Sequence, residues 1–167
     1  LATTQLPRGI TPTHYDISIS PHAQAMNFGG VVTVTLDVLK STNSITLNAL
    51  DMTFSKVSLS ALGATKSFAA PRVAVDAKTQ TATFTFAHAI EPGTYRLAMT
   101  YAGKIGTQAN GLFAINYPTA AGEKRALYTQ FAPSAARRFL PSWAAPAYKA
   151  TFDLTVTVPS NEKAVSN

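Results

Sequence analysis

Phe28-Gly-Gly-Val-Val-Thr-Val-Thr-Leu-Asp-Val-Leu39 sets Val32, Val34, Leu36 and Val38 on one side and Thr33, Thr35 and Asp37 on the other. A period of two over a run this long marks a strand with one face in a core and one in water. Gly29 and Gly30 near its start suggest a bulge or a bend between sheets. The same alternation recurs on both sides of this run. Upstream, His14-Tyr-Asp-Ile-Ser-Ile-Ser20 places Tyr15, Ile17 and Ile19 against Asp16, Ser18 and Ser20, with Pro21 as the expected stop. Downstream, Ser44 to Asn48 and Met52 to Leu62 repeat it, the latter through Val57, Leu59 and Ala61.

Arg72 to Val75 and Thr79 to Ala87 read as a hairpin around Asp76-Ala-Lys78, with Ala82, Phe84 and Phe86 buried. Glu91-Pro-Gly93 is a turn signal, after which Tyr95, Leu97, Met99 and Tyr101 alternate. Gly103 to Tyr117 suggests an irregular strand pair, and Arg125 to Phe131 a further strand. A last strand is expected from Lys149 to Val158, burying Ala150, Phe152, Leu154, Val156 and Val158. No segment sustains a helical period, while ten prolines and nine glycines punctuate the strands. The expected fold class is therefore all-β, a saddle-like β-sandwich of antiparallel and mixed strands, with residues 1–167 as a single domain.

Composition narrows the function classes. Only 13% of residues are charged against 46% hydrophobic, and no apolar run approaches the roughly 18 residues that span a bilayer, so no membrane partner is expected. The start, Leu1 to Arg8, lacks a basic-plus-apolar leader, and localisation stays open. Without cysteine there is no disulfide framework, thiolate nucleophile or zinc ribbon. The net charge of +6 invites a nucleic-acid reading, but Lys40, Lys56, Lys66, Lys78, Lys104 and Lys163 stand alone, with no basic stripe, so no nucleic-acid partner is expected.

Catalytic signatures are missing from the sequence. His14, His22 and His88 are scattered at strand edges and supply no set of metal ligands. There is no Gly-x-Ser-x-Gly elbow and no spaced phosphate cradle. Paired carboxylates cannot work where there are none, and Lys124 to Thr151 contains no acid. No catalytic residue and no metal ligand is assigned.

The unusual stretch is Tyr128 to Phe152, which carries Trp143, the pair Arg137 and Arg138, and Pro133, Pro141 and Pro146. A long, proline-stiffened loop in a compact domain is commonly functional. Gln130, with Phe131 beside it and Tyr117 and Tyr128 close in sequence, is the candidate to read a ligand's polar group; alternatively its amide bonds the loop's own backbone. Arg137 and Arg138 read as structural, needing a carboxylate from elsewhere in the chain. Trp143 reads as a core plug whose indole N–H needs one partner. A short helical turn near Ser134 to Arg138, capped by Ser134, is expected.

Thr129-Gln-Phe, Ala136-Arg-Arg138, Pro141-Ser-Trp143 and Pro146-Ala-Tyr-Lys-Ala-Thr-Phe152 resemble the signature closing the N-terminal domain of zinc aminopeptidases of the aminopeptidase N and puromycin-sensitive type. Leu6-Pro, Pro12-Thr-His-Tyr-Asp16, Phe28-Gly-Gly, Tyr101-Ala-Gly-Lys104 and Gly111-Leu-Phe extend the resemblance over nearly the whole chain. It implies a non-catalytic domain that caps the active site of a larger enzyme and helps bind the peptide substrate's N-terminus. The partner is then the parent's catalytic domain, which carries the zinc and would follow Ser166-Asn167; this chain itself needs no cofactor.

The resemblance also implies that Gln130 lines the pocket for the substrate's first side chain, and that position 132 is where a glutamate helps hold the α-amino group. Position 132 is Ala132, and Ala135, Ala144 and Ala145 likewise stand where the pattern has acids. With those acids restored, fourteen basic residues would face twelve acids, leaving +2 in place of +6. The expectation is an excised, engineered domain neutralised at these positions, with a natural degenerate homologue as the alternative. A different class of function, a stand-alone β-sandwich module binding a protein or peptide, also accommodates the same loop.

Overall fold

The computed structural model describes residues 5–166, and the handover read at Ser166-Asn167 lies partly outside them. Ten strands follow one another: β1 (Ile10–His22), β2 (Asn27–Val38), β3 (Thr42–Asn48), β4 (Met52–Ala61), β5 (Arg72–Asp76), β6 (Thr81–Ile90), β7 (Gly93–Lys104), β8 (Gly111–Thr119), β9 (Gly122–Gln130) and β10 (Thr151–Val156). One 3-10 turn, Ala135–Arg138, interrupts them. Ser134 occupies its N-cap position, but its side chain makes no capping hydrogen bond.

The strands form a five-stranded sheet in the order β10-β1-β2-β7-β4, a three-stranded sheet β3-β6-β5, and the separate hairpin β8-β9. Every pairing is antiparallel except β1 with β10, which is parallel. The fold class is the all-β sandwich that the alternation predicts. Between the two larger sheets lies one apolar core that includes Val32, Val34, Leu36, Leu59, Leu97, Ile45, Leu47 and Phe84, all fully buried. Aromatic edges join the layers: Phe54 of β4 meets Phe84 of β6 at 5.3 Å, and Phe68 bridges Phe86 and Tyr95.

Three expectations are corrected. Gly29 and Gly30 mark no bulge, since β2 pairs in unbroken register there with both neighbours. Gly30 is required because its partner Tyr101 lies over it, where a Cβ would come within 2.4 Å of the ring. Phe28 covers Gly103 in the same way on the adjacent pair. Pro21 does not end β1, which runs one residue further, pairing Pro21 with Phe28.

The last strand differs most. It is shorter than its alternation predicts, and two of its three large apolar residues are exposed, Phe152 at 58% and Leu154 at 44%, with Val156 half-buried. The parity itself is right, because Phe152, Leu154 and Val156 register with the buried Tyr15, Ile17 and Ile19 of β1. The physical reason is layer width. Three strands cannot cover five, and β10 lies at the edge of the larger sheet.

Candidate functional site

The segment 131–150 has almost no regular structure, yet it is fastened across the end of the sandwich at many points. Asn48, the last residue of β3, exchanges two backbone hydrogen bonds with Ser142, at 2.8 and 3.0 Å. The Leu50 N–H donates to the Arg137 carbonyl at 2.8 Å. The Ala144 N–H donates to Asn48 Oδ1 at 3.2 Å. From the five-stranded sheet, the Tyr101 hydroxyl donates to the Phe139 carbonyl at 2.9 Å, and the Tyr15 hydroxyl accepts the Trp143 backbone N–H at 3.1 Å. Burial pushes the Tyr15 hydroxyl up to about 12, with the Trp143 contact partly offsetting it, and pushes Tyr101 higher still. Each stays neutral at physiological pH and so can serve as a structural hydrogen-bonding group.

Trp143 is the core plug that its sequence context suggests, only 4% exposed. Its indole Nε1 nevertheless has no hydrogen-bond partner, contrary to the expected pairing. Asn48 Nδ2 and Arg137 Nε are in the same position, so the clamp contains three buried, unpaired donor atoms. The arginines separate in role. Arg138 ion-pairs with Asp51, the carboxylate from elsewhere that its type calls for. Arg137 is 8% exposed, and among the described residues its side chain bonds the neutral Gln80 Oε1, at 3.0 Å, and no carboxylate. Desolvation lowers its pKa, as expected when a cation is buried without a counter-charge. Ala135 is buried and Ala144 and Ala145 are half-buried around this clamp, whereas Ala132 is exposed.

Gln130 ends β9, opposite Gly111 of β8. It is exposed, and among the described residues its side-chain amide makes no hydrogen bond, so the reading in which it satisfies the loop's backbone is not what the structure holds. Tyr128, two residues back on the same face, is 52% exposed, and its ring lies 6.0 Å from that of Phe113. Phe131 packs on Phe139 at 5.1 Å, and Phe139 in turn on Phe28 at 5.6 Å, which ties the position next to Gln130 to the core. Tyr117 does not belong to this frame. It pairs with Lys124, and the six residues from there to Gln130 span about 20 Å of strand.

Gly111 has φ of +79°, and a Cβ there would come 2.9 Å from Arg138 Cβ, so the hairpin's foot and the arginine pair are packed as one unit. A hollow of about 230 Å³ lined by Gly106, Thr107, Gln108, Asn110 and Arg138 adjoins it. Sequence reasoning missed the residues that hold the clamp from behind: Tyr15, Asn48, Asp51, Gln80 and Tyr101. Asn48 and Asp51 could have been noticed as polar residues at the end of one alternating strand and just before the next; Tyr15 and Tyr101 look like ordinary core positions until their hydroxyls are placed.

The described residues include no group of three or more His, Cys, Asp or Glu side chains that could hold a metal ion. No helix among them is long and apolar enough to cross a membrane. His14 instead contacts Thr151 Oγ1 at 2.7 Å and Asp153 at 3.5 Å across β1 and β10, and His22 contacts Asn27. Compared with known proteins, residues 11–167 match the Peptidase M1 N-terminal domain. The chain is 36% identical to an aminopeptidase N of Acetobacter pasteurianus over 99% of its own length and 45% of the relative's. It is 32% identical to aminopeptidase M1 of Arabidopsis thaliana and 30% identical to endoplasmic reticulum aminopeptidase 1 of Rattus norvegicus, covering 98% of this chain but only 19% and 18% of those proteins. The chain thus spans less than half the length of these curated relatives.

Proposed function

The chain belongs to the Peptidase M1 N-terminal domain family, and from that premise we propose that it is the non-catalytic, substrate-binding domain of a zinc aminopeptidase. In this reading it caps the active site of a catalytic domain and presents Gln130 to the N-terminal residue of a peptide. The zinc would be held by that other domain, since the described residues here offer no ligand set. The observation that carries the reading is the free, exposed amide of Gln130 at the rim of a clamped loop, framed by Tyr128 and Phe131. An amide that is not consumed by its own backbone can donate to and accept from a ligand. Holding it on a fixed mount lowers the ordering cost of binding.

Ala132 sets the limit of this binding. A carboxylate beside a ligand ammonium contributes roughly 1.5–3 kcal/mol as a charge-assisted hydrogen bond, and Ala132 supplies none. In the same reading, Ala135, Ala144 and Ala145 are positions whose acids have been neutralised, by engineering or by natural divergence. The buried, uncompensated Arg137 is what such a change would leave behind. Sequencing the parent gene at these codons distinguishes the two origins: acid codons there establish engineering, alanine codons divergence.

The functional test uses the longer enzyme that carries this domain. Gln130→Ala should raise KM for aminoacyl anilides by about 2- to 10-fold, the loss of one hydrogen bond. Ala132→Glu should lower KM by about tenfold or more. Unchanged kinetics in both variants would refute the assignment. The stand-alone binding module is the competing reading, and turnover-independent capture of peptides by the 167-residue chain would favour it.

A further inference from the structure

The two faces of the β8-β9 hairpin are unlike. On one, Ala114 and Leu127 pack against the core and Arg125 donates to the Ala23 carbonyl at 2.8 Å, so that face lies on the body of the domain. The register collects the other face pair by pair: Gln130 stands across from Gly111, Tyr128 from Phe113 and Lys124 from Tyr117, with Ile115 midway between Phe113 and Tyr117. Because successive residues of a strand alternate sides, this second row points away from the body. Tyr128, Ile115 and Tyr117 are between 42% and 52% exposed.

A contiguous row of aromatic and branched side chains held in water ordinarily marks a contact surface. Here the row is ordered from end to end. It starts at the unbonded amide of Gln130, passes over Tyr128, Phe113 and Ile115, and finishes at Tyr117 beside Lys124, which makes no ion pair among the described residues. No Asp or Glu lies on this face, since Glu123 belongs to the opposite row. From Gln130 to Lys124 the strand covers about 20 Å, the length of roughly six residues of extended chain.

We infer that this outward face is a platform for the peptide beyond its first residue. The inference rests on the reading in which Gln130 meets the peptide's N-terminal residue, and it adds the class of peptide that fits: an extended chain, apolar at the positions after the first, with a carboxylate about six residues further on to meet Lys124. Two features argue for this occupant. The row is continuous with Gln130, so a chain that starts there and runs along the hairpin crosses Tyr128 and Phe113 first. The charge order is also one-sided, neutral at the Gln130 end and positive at the other. A second copy of this chain fits less well, because two such faces would bring lysines together with no acid between them.

The test is a titration of the isotope-labelled 167-residue chain, followed by NMR, with two synthetic peptides that share a free N-terminus. One has two residues; the other has seven, with valine or phenylalanine at positions two to four and aspartate at position seven. The longer peptide should bind about 10- to 100-fold more tightly, and should shift Gln130, Tyr128, Ile115 and Tyr117 together, whereas the shorter should shift the Gln130 end alone. Ile115→Lys should weaken the seven-residue peptide about 5- to 10-fold without affecting the two-residue one, which is too short to reach it. Lys124→Glu should weaken the same peptide about 2- to 5-fold, and should have no effect once its aspartate is replaced by asparagine. Equal affinities for the two peptides, with Gln130 shifted and the hairpin silent, would overturn the platform and leave the Gln130 reading standing. Hairpin shifts with Gln130 silent would instead overturn the Gln130 reading, and the platform's register with it. Shifts along the hairpin that grow with protein concentration alone, matched by a dimer in sedimentation, would overturn the inference in favour of a second copy.

Discussion

The loop 131–150 and the strand β10 adjoin in sequence but reverse the usual association of regularity with burial. The loop, with a single 3-10 turn, buries Leu140, Ser142 and Trp143 and is bonded to both sheets. The strand is regular and unbroken in register, yet Phe152 and Leu154, on the same face as the buried Tyr15 and Ile17, stay exposed to water. Hydrogen-bond regularity and burial are thus independent here. What holds a segment is the number of layers over it and the side chains that reach it from behind, such as Tyr15 and Tyr101.

That contrast can be broken by substitution, and the largest effect should be in the loop. Trp143→Ala removes a fully packed side chain and should cost about 3–5 kcal/mol, whereas Phe152→Ala on β10 should cost about 1 kcal/mol, chiefly the stacking on Tyr15. Urea denaturation of the two variants makes the comparison, and equal losses would erase the distinction. Next, Arg137→Met replaces a buried cation that lacks a carboxylate with an apolar chain of similar length. Stability should stay unchanged or rise by roughly 1–4 kcal/mol. A clear loss in thermal unfolding would mean that the Gln80 contact outweighs the desolvation.

A pH effect of intermediate size follows from the two clamping tyrosines. Each has a folded pKa above the unfolded value near 10, Tyr15 at about 12 and Tyr101 beyond it. The unfolded chain therefore loses these protons first as pH rises. Their contribution is complete below pH 10 and is lost as pH climbs through the folded values, at up to about 1.4 kcal/mol per pH unit for each tyrosine. Tyr101→Phe should flatten that decline by about half, measured by unfolding between pH 9 and roughly 11.5. The smallest effect belongs to Gln130→Ala, which should change stability by no more than about 0.5 kcal/mol because the side chain is exposed and unbonded. A larger loss would show that Gln130 supports the loop.

The strands were legible because period-two alternation records which face is buried, as Val32 to Val38 and Tyr95 to Tyr101 illustrate. Alternation does not record how many strands the opposing layer has, which is why β10 reads as buried and is bare. The glycines were misread for a related reason: Gly30 and Gly103 accommodate rings on neighbouring strands, a contact that exists only once the register is set. Gln130 was identifiable as a polar residue among aromatics at a strand end. Its freedom from the backbone was not, nor was the distance of Tyr117, which is close in sequence but paired far along the hairpin. The scarcity of acids in the loop was visible directly; that Arg137 would be buried against the neutral Gln80 was not, because the contact joins residues far apart in the chain.

The most direct test of the loop as a rigid mount is native-state amide exchange of the N–H groups of Asn48, Leu50, Ser142 and Trp143, set against the amides of β10 in the same 167-residue sample. The clamp amides are predicted to exchange only through global unfolding, orders of magnitude more slowly than the outward amides of β10. Clamp amides that exchange as fast as β10, under conditions where the central strands β2 and β7 remain protected, would contradict it.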